Sequence, residues 1–378
     1  KIKISHVITG LGTGGAEMML SKLLEKIDKE QFDNTIISLT GRGDLAEKIE
    51  SYGVPVYTCS MSGIGSLLPG LFKLYRYIKK EKPHIVQTWL YHADLLGGVA
   101  AKLAGVKKII WNIRNSNLDR DKTKLTTIWT VKLCALLSGK IPVLILSNSV
   151  NSANIHQKIG YKADKFKIIS NGFDIEKFKP DCKSRISVRS ELEIDSNKKV
   201  VGLIARFDTQ KNHKGFIRAA DLVKKKIKNV HFIMAGTGID WSNKIITGEL
   251  ATFGLADRFS LLGRRDDIPR IMASLDVLAS SSYGEAFPNV LGEAMACGVP
   301  CVATDVGDCA DIIGDTGYVV EVDDIESLAE RIINILEMDR ESYKTLSQKA
   351  RARIIESYKI DIIVKEYERT YLKLLYKL

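Results

Sequence analysis

Two glutamates are the residues whose type and spacing best suit binding of a hydroxyl-rich ligand. Glu285 and Glu293 lie in residues 284–304, GEAFPNVLGEAMACGVPCVAT, where Pro288 precedes an Ala-rich helical run and then a strand-like run. Proline favours the first position of a helix. A helix that begins near Pro288 and Asn289 would direct free backbone N–H groups, and the positive end of its dipole, at a ligand in front of Glu285. This pattern suits a diphosphate with hydroxyl-rich groups on both sides, and a nucleotide sugar is such a ligand.

Two cations follow another apolar run, and they suit the same kind of ligand. In VVGLIARFDTQKNH, Arg206 follows the apolar residues and Lys211 comes five residues later. Two cations in a strand-end loop can neutralise a departing diphosphate without a metal ion. Each of these residues also has an interpretation without a ligand. Arg206 and Lys211 would belong to a solvated basic loop, Glu285 would be a solvated loop acid, and Glu293 would be an exposed helix residue.

A glycine-rich turn joins the first predicted strand to the first predicted helix. The sequence ITGLGTGGAE contains Gly12, Thr13, Gly14 and Gly15. A dinucleotide-binding fingerprint also needs an acid at the end of the second strand, and residues 38–40 there read Ser, Leu, Thr. The remaining interpretation is a turn that lets a ligand approach the backbone near a helix N-terminus, with a purely structural tight turn as the alternative.

One histidine is placed where a strand runs into a helix. In HIVQTWLYHADLLG, His92 follows the apolar strand and Asp94 lies two residues further on. We expect His92 to contact the reacting sugar or the acceptor. Asp94 would orient His92 or bind the acceptor, although a favourable charge at a helix N-terminus explains it equally well.

The elements around these residues alternate between strands and helices. Seven apolar strand candidates fall in residues 4–169 and six in residues 200–321, with amphipathic stretches between them. This spacing predicts βαβ units and mostly parallel sheets. Residues 174–198 contain Pro180 and many charges and are predicted to be a linker. Two further helices, at 340–357 and 361–375, have no following strand.

Length and composition agree with two domains. The 378 residues suffice for two domains of ordinary size, and no window is apolar enough to span a membrane. Six scattered cysteines indicate neither zinc nor a disulfide framework. The net charge of +11 is confined to the first half, because residues 1–180 carry 27 Lys and Arg against 15 Asp and Glu. This asymmetry suggests membrane phospholipid or nucleic acid as an anionic partner, or simply favours solubility.

The stretch around the two glutamates resembles the donor-site signature of retaining glycosyltransferases of family 4. That signature has a Glu, seven residues and a second Glu, then a small-residue helix and a G-x-P strand entry. The matching positions are Glu285, Phe287, Pro288, Glu293, Ala294, Gly298 and Pro300. The resemblance implies a GT-B fold: two Rossmann-like, doubly wound α/β domains that face each other across a cleft. The first domain would comprise residues 1–180 and bind the acceptor, with residues 359–378 as a helix returning to it. The second would comprise residues 181–358 and bind the nucleotide sugar.

The resemblance also implies roles for individual residues. His92, Arg206, Lys211 and Glu285 would be catalytic, and Gly12, Thr13, His92 and Asp94 would bind the acceptor. Gly263 and Arg264, at another predicted strand end, would meet the nucleobase largely through backbone. The full predicted donor site is Gly14, Gly15, Arg206, Lys211, Gly263, Arg264, Glu285, Ala286, Phe287, Pro288, Asn289, Val290 and Glu293.

The expected reaction transfers a hexose or N-acetylhexosamine, with retention, from a nucleotide sugar to a polyprenyl-diphosphate-linked saccharide. We favour a UDP-sugar as donor, expect no cofactor and no metal, and interpret Asp119 and Asp121 as solvated charges. Residues 67–82 and 120–140 mix apolar residues with cations as interfacial helices do. They predict docking on the inner face of an anionic plasma membrane in surface polysaccharide synthesis, although ordinary amphipathic helices also show this mixture.

Three other functions remain open from the sequence. A nucleotide-sugar epimerase on the same fold would need more acid–base residues than the few histidines here provide. An NAD(P)-dependent oxidoreductase is disfavoured by the missing ribose acid. A non-enzymatic nucleotide- or nucleic-acid-binding protein would use the basic half, but clustered RNA-binding aromatic residues are not apparent, and we expect no nucleic acid partner.

Overall fold

The computed structural model describes residues 1–115 and 124–376, which form two units. The first unit contains residues 1–172 and the last helix, and the second contains residues 173–359. The predicted boundary at residue 180 lies a few residues too late, because Phe173, Ile175 and Phe178 are buried in the core of the second unit.

The first unit is built on a parallel sheet of seven strands in the order β3-β2-β1-β4-β5-β6-β7. The strands are β1 Ile2–Ile8, β2 Phe32–Ser38, β3 Val56–Thr58, β4 Ile85–Trp89, β5 Lys108–Ile113, β6 Leu144–Ser147 and β7 Phe166–Ile168. The helices between them are α1 Gly15–Lys26, α2 Ala46–Glu50, α3 Ile64–Glu81, α4 Tyr91–Leu103, α5 Leu125–Leu137 and α6 Val150–Ile159.

The second unit has a parallel sheet of six strands in the order β10-β9-β8-β11-β12-β13. The strands are β8 Lys199–Ile204, β9 Val230–Ala235, β10 Phe259–Leu261, β11 Val277–Ser280, β12 Cys301–Thr304 and β13 Tyr318–Val320. Its helices are α7 Cys182–Glu191, α8 His213–Lys226, α9 Lys244–Thr252, α10 Ile268–Ala273, α11 Asn289–Ala296, α12 Cys309–Ile313, α13 Ile325–Leu336 and α14 Arg340–Ser357.

Both sheets have an apolar core on each face. In the first unit, Ile4 and Ile8 point to one core while Val7 and Ile37 point to the other. Strands covered by helices on both faces bury successive residues, which explains why the apolar runs in the sequence identified them. The prediction of two doubly wound α/β domains is confirmed.

The predicted linker is wrong, because residues 182–191 form α7 and pack on the second unit. Val188 is fully buried, and Arg185 and Arg189 both form ion pairs with Asp276, at 2.6 and 2.8 Å. Asp276 also accepts a hydrogen bond from the backbone N–H of Val200 at 2.7 Å. These contacts fix α7 to the start of β8 and β11, so the segment is part of the domain.

The chain returns to the first unit at its last helix, α15 Ile360–Tyr376. Ile363, Tyr367 and Tyr371 of α15 are buried in the core that contains β1 and α1. The Tyr371 hydroxyl donates to Gln87 Oε1 of β4 at 2.8 Å. The predicted return of the final helix to the first domain is therefore observed in the contacts of α15.

Across residues 1–115 and 124–376, no helix has the length and apolarity needed to cross a membrane. The same residues contain no group of three His, Cys, Asp or Glu side chains placed to hold a metal ion. Asp119 and Asp121 lie outside the described residues. The metal independence of the reaction stays a prediction.

Candidate functional site

Lys211 and Glu285 meet at the carboxyl edge of the second sheet. Lys211 ends a 3-10 turn, Thr209–Lys211, that follows β8, and Glu285 lies in the loop after the neighbouring strand β11. The Lys211 ammonium donates a hydrogen bond to Glu285 Oε1, which also accepts one from Ser282 Oγ at 2.8 Å. Only 24% and 12% of the two side chains are exposed, so this is a partly desolvated ion pair.

The loop that carries Lys211 is held rigidly. Asn212 adopts a left-handed conformation with φ of 47°, and its side chain caps α8 by accepting from Gly215 N at 3.0 Å. Ser281 Oγ donates to the backbone carbonyl of Asn212 at 2.9 Å. His213 is buried beside Phe207, and burial lowers the pKa of its imidazole to about 4, so the ring is neutral at pH 7.

Arg206 lies at the end of the same strand but takes no part in the ion pair. Its side chain is 72% exposed, and a terminal guanidinium nitrogen contacts Asp208 Oδ2 at 3.2 Å. The structure therefore brings Arg206 and Lys211 to one loop while only Lys211 contacts Glu285. Arg206 projects into solvent, where it is accessible to a ligand.

The helix after Glu285 begins as the sequence predicts. Pro288 is the N-cap residue of α11, and Asn289 begins the helix. Val290, in the first turn, lines a small cavity together with Lys211 and Glu285. Glu293 is half-buried one turn further along α11. The N-terminus of α11 thus follows Glu285 directly and carries Glu293 one turn further on, while a phosphate cradle here stays a prediction.

One predicted donor contact needs correction. The Phe287 side chain is only 7% exposed and stacks on Phe173, with ring centroids 6.2 Å apart, in the core of the second unit. Phe287 anchors the loop between Glu285 and α11, because its ring is part of the core. The neighbouring Ala286 is half-buried, and its backbone carbonyl accepts from Asp308 N at 3.2 Å.

Gly307, which the sequence analysis did not identify, packs against the backbone of the Glu285 loop. It has φ of 59°, and a Cβ atom here would lie 2.5 Å from the Glu285 carbonyl oxygen and 2.6 Å from that of Ala286. Only glycine allows this close approach of two backbones. A glycine three residues after the end of a strand, in ATDVGDC, was the signal available in the sequence.

The predicted nucleobase residues lie at the adjacent strand ends. Gly263, after β10, has φ of 63° and donates its N–H to the Ile239 carbonyl at 2.7 Å. Its own carbonyl accepts from Gly236 N at 2.8 Å, and Gly236 in turn packs against the Ala205 carbonyl after β8. Arg264 is exposed. Backbone hydrogen bonds and backbone contacts therefore join the loops after β8, β9 and β10. Glycines occupy the positions where two backbone segments come closest.

In the first unit, the glycine-rich turn lies at the carboxyl end of β1. Gly14 is the N-cap residue of α1, Gly15 is its first residue, and both are exposed together with Thr13. Gly12 is half-buried, and a Cβ atom there would meet nothing within 4 Å. The turn leaves its backbone accessible, as the sequence predicts for a close approach by a ligand.

His92 and Asp94 both lie in the first turn of α4, but in different surroundings. His92 is half-buried, and burial lowers the pKa of its imidazole. Asp94 is fully buried: it accepts hydrogen bonds from the Thr88 hydroxyl and from Asn112 N, the latter at 3.2 Å. The predicted direct contact of Asp94 with the acceptor is therefore wrong. Asp94 instead joins the ends of β4 and β5, which places His92 beside them.

Comparison with known proteins identifies related sequences for both units and a related fold. Residues 13–177 match the family described as "Glycosyltransferase Family 4", and residues 198–338 match "Glycosyl transferases group 1". The crystal structure of Anabaena Alr3699/HepE in complex with UDP superposes with a TM-score of 0.86 at 24% identity, covering 98% of this chain and 99% of that one. The fold is that of the GT-B glycosyltransferases, and the resemblance predicted from the sequence is confirmed.

Two bacterial relatives match over nearly the whole chain. One is the UDP-Gal:alpha-D-GlcNAc-diphosphoundecaprenol alpha-1,3-galactosyltransferase of Escherichia coli, 27% identical over 95% of this chain and 94% of its own length. The other is the capsular polysaccharide biosynthesis glycosyltransferase CapM of Staphylococcus aureus, 24% identical over 98% and 96%. The chain belongs to the glycosyltransferases, with a family 4 region in its first half and a group 1 region in its second.

Proposed function

We propose that this protein is a retaining glycosyltransferase that moves a sugar from a UDP-sugar to a hydroxyl of a polyprenyl-diphosphate-linked saccharide, in the synthesis of a bacterial surface polysaccharide such as O-antigen or capsule. The observation that carries the proposal is the meeting of Lys211 and Glu285 at the carboxyl edge of the second sheet, beside Arg206 and the N-terminus of α11. Cations and free N–H groups suit a diphosphate, and a carboxylate suits sugar hydroxyls.

Each donor-site residue has a distinct task in this proposal. Arg206, Lys211 and the N-terminus of α11 stabilise the charge that develops on the leaving diphosphate. Glu285 accepts hydrogen bonds from the hydroxyls of the donor sugar, and Glu293 binds the ribose. The backbone at Gly263 meets the base. No metal is needed, because the two cations and the helix N-terminus supply the positive charge.

The transfer step balances without a protein nucleophile. The acceptor oxygen attacks the anomeric carbon on the face from which the nucleotide leaves. The new glycosidic C–O bond forms as the bond from the anomeric carbon to the phosphate oxygen breaks, and the hydroxyl proton passes to a phosphate oxygen of the leaving diphosphate. The role of His92, half-buried at the carboxyl end of β4, is to position the sugar or the acceptor.

The substrates are inferred from the relatives. The E. coli relative is named for a UDP-galactose donor and a diphosphoundecaprenol-linked acceptor, and the Anabaena structure contains UDP. The E. coli relative is also named for an alpha-1,3 product. An α-linked UDP-sugar gives an α product only with retention. The transferred group is a hexose or an N-acetylhexosamine.

Exposed apolar residues on the first unit support a peripheral membrane location on the inner face of the plasma membrane. On α5, Trp129 and Leu136 are 64% and 75% exposed. On α3, Leu68 and Phe72 are 77% and 61% exposed, and exposed cations lie around them. Apolar side chains interleaved with cations are typical of helices that insert into anionic interfaces.

The alternatives gain little from the structure. For a dinucleotide enzyme, the end of β2 would need a carboxylate, and Ser38 there donates its hydroxyl to the Gly41 carbonyl at 2.7 Å. An epimerase would need an acid–base pair free to act on the sugar ring, whereas Lys211 and Glu285 form an ion pair with each other. A nucleic-acid-binding protein would use the basic first unit without needing the Lys211–Glu285 pair.

The proposal is tested by ligand-dependent thermal stability followed by turnover. UDP at 100 times its dissociation constant should stabilise the protein by about 2.7 kcal/mol, and EDTA should leave the shift unchanged. GDP, ADP, NAD and NADP serve as comparisons. Transfer from UDP-sugars to a lipid-diphosphate-linked saccharide should follow, with the α product identified by NMR. Stabilisation by NAD(P) alone, or near-normal transfer by folded Arg206→Ala, Lys211→Ala and Glu285→Gln variants, would contradict the proposal.

A further inference from the structure

A cation whose partners among the described residues are all neutral lies at the carboxyl end of the first unit's sheet. Arg114 directly follows β5 and is half-buried. Its hydrogen-bond partners are neutral: Nε donates to Asn112 Oδ1 at 2.9 Å, and the terminal nitrogens donate to Asn171 Oδ1 and to the Tyr367 hydroxyl. Within residues 1–115 and 124–376, no carboxylate lies within ion-pair distance of Arg114.

The guanidinium is held in a fixed orientation. It lies over the ring of Trp89, 4.8 Å from the ring centroid, an arrangement in which the cation is attracted to the aromatic face. The backbone beside it is also anchored, because the Asn115 carbonyl oxygen is 2.9 Å from Ser152 Oγ and 3.1 Å from the Tyr91 hydroxyl. Arg114 is therefore a preorganised donor group at a strand end.

Two N–H groups of Arg114 remain after these contacts, because a guanidinium has five donors and the three hydrogen bonds use one each. Removing a cation from water is unfavourable without an anionic partner. A neutral amide side chain, with two N–H donors, could donate to two of Asn112, Asn171 and Tyr367 without that cost. The positive charge itself is therefore best explained by a ligand.

We propose that Arg114 forms an oxyanion-binding site in the first unit, and that its ligand is a phosphate or carboxylate group of the acceptor. The fork of N–H groups on arginine matches the oxygens of either group. Parallel α/β sheets bind their ligands at the carboxyl ends of the strands, which is where Arg114 and His92 lie. The assignment of the anion to the acceptor rests on the proposed function, whereas the anion site itself is independent of it.

The chain offers a matched control for a purely structural role. Lys167 of β7 also connects the sheet to α15, where it contacts Glu366 at 3.4 Å and Thr370 Oγ1 at 2.8 Å. Lys167 therefore has a carboxylate partner, and Arg114 has none among the residues that the structure describes. If Arg114 only fastened α15, loss of either cation would lower stability and change no ligand affinity.

The first experiment is calorimetric titration with pyrophosphate, glucuronate and neutral glucose. It uses the Arg206→Ala/Lys211→Ala protein, so that the cations of the second unit do not contribute. We expect at least one anion to bind more tightly than glucose. Binding of pyrophosphate alone assigns the ligand to a phosphate, and binding of glucuronate alone to a carboxylate. Failure of both anions to bind overturns the proposal, and this result needs no variant of Arg114.

The second experiment adds Arg114→Gln or Lys167→Gln to that protein. Arg114→Gln should weaken anion binding by about tenfold or more, since charge-assisted bonds are roughly twice as strong as neutral ones, and Lys167→Gln should leave it unchanged. Equal affinity in the two variants overturns the proposal. If Arg114→Gln does not fold, Arg114→Lys keeps the charge and loses the planar fork. The affinity of the Arg114→Lys protein for the anion should fall. An unchanged affinity overturns the assignment of the anion site to Arg114.

The third experiment assigns the anion to the acceptor in otherwise wild-type protein. Arg114→Gln should raise the KM for a lipid-diphosphate-linked saccharide, leave the KM for the same saccharide on a neutral alkyl chain unchanged, and leave hydrolysis of the UDP-sugar unchanged. If glucuronate was the bound anion, the comparison uses an acidic and a neutral saccharide. Equal effects on acceptor use and on hydrolysis overturn this assignment. Absence of transfer from every UDP-sugar contradicts the proposed function and leaves the titrations as they stand.

Discussion

Lys211 and Glu285 form an ion pair at the ends of two adjacent strands, although 74 residues separate them in the sequence. Under the proposed function, Lys211 binds the donor diphosphate and Glu285 binds the donor sugar. In the free protein these two groups neutralise each other, and both are largely shielded from water. A bound diphosphate must therefore compete with Glu285 for Lys211, and in doing so it leaves the carboxylate available for sugar hydroxyls.

This competition predicts opposite effects of substitutions in the two partners. Glu285→Gln should bind UDP as tightly as wild type or more tightly, because Lys211 no longer has a carboxylate partner, while transfer falls by about 100-fold. Lys211→Ala should weaken both UDP binding and transfer. Calorimetry with UDP and initial rates of transfer measure these effects. Weaker UDP binding by a folded Glu285→Gln protein would contradict the competition.

The close approach of Gly307 to the Glu285 loop predicts a strong effect of one methyl group. Gly307→Ala should reduce transfer by about tenfold or more, because its Cβ would displace the Glu285 and Ala286 carbonyls. Gly254→Ala is the matched control: Gly254 also has φ of 59°, but its Cβ would meet nothing within 4 Å. Both variants should lose about 1 kcal/mol of stability from backbone strain, and Gly307→Ala should lose more because its Cβ also contacts the two carbonyls. Equal transfer rates in the two variants would show that Glu285 tolerates displacement.

Asp94 predicts a pH dependence of stability. Burial raises the pKa of its carboxyl group from the usual 3.8 to about 7. The contribution of Asp94 to folding is therefore fully present below pH 4 and is lost as the pH rises through 7. An amide does not titrate, so the free energy of unfolding of Asp94→Asn should rise relative to wild type between pH 4 and 7, by about 4 kcal/mol at most.

Denaturant unfolding at several pH values measures the Asp94 effect. Asp33→Asn, which removes an exposed carboxylate of β2, is the control for loss of one charge. A constant difference between Asp94→Asn and wild type across this pH range would contradict the raised pKa.

The apolar surface of α5 predicts binding to anionic vesicles. Trp129→Ser/Leu136→Ser should release most of the protein from phosphatidylglycerol vesicles in sedimentation, because each burial of a large apolar side chain contributes about 2 kcal/mol. Trp241→Ser is the control, since Trp241 is 51% exposed on the second unit. High salt should weaken the remaining binding. Equal sedimentation of the two variants would exclude α5 as the docking surface.

The sequence was sufficient for the architecture because buried parallel strands are continuous apolar runs. The seven and six strand candidates correspond to the strands of the two sheets. The segment containing α7 was misassigned because CKSRISVRSE is polar and resembles a linker. Its helix is held by contacts of Arg185 and Arg189 with Asp276, which lies far away in the chain. The composition of a short segment gives no information about contacts with residues far away in the chain.

Site prediction had a similar limit. Glu285, Lys211 and Arg206 were selected as site candidates because their chemistry stands out next to apolar strands. The ion-pair partner of each charged residue was not predictable. Lys211 pairs with Glu285 because the strands that precede them are neighbours in the sheet, and the sequence does not show the strand order. Arg114 was overlooked although it follows an apolar strand just as Arg206 does. Phe287 and Asp94 were assigned ligand contacts because the sequence does not show that their side chains are buried. Their burial depends on packing that only the fold defines.

The return of α15 to the first unit has a consequence for biosynthesis. Tyr367 and Tyr371 fill the core between β1 and α1, so this core cannot close while the ribosome is still producing the second unit. The first unit must wait, with apolar surface at Phe32 and Trp89 uncovered, until residues 360–376 have been translated. Nascent chains that stop before residue 360 should therefore be substrates for chaperones and proteases, even when the second unit has already folded.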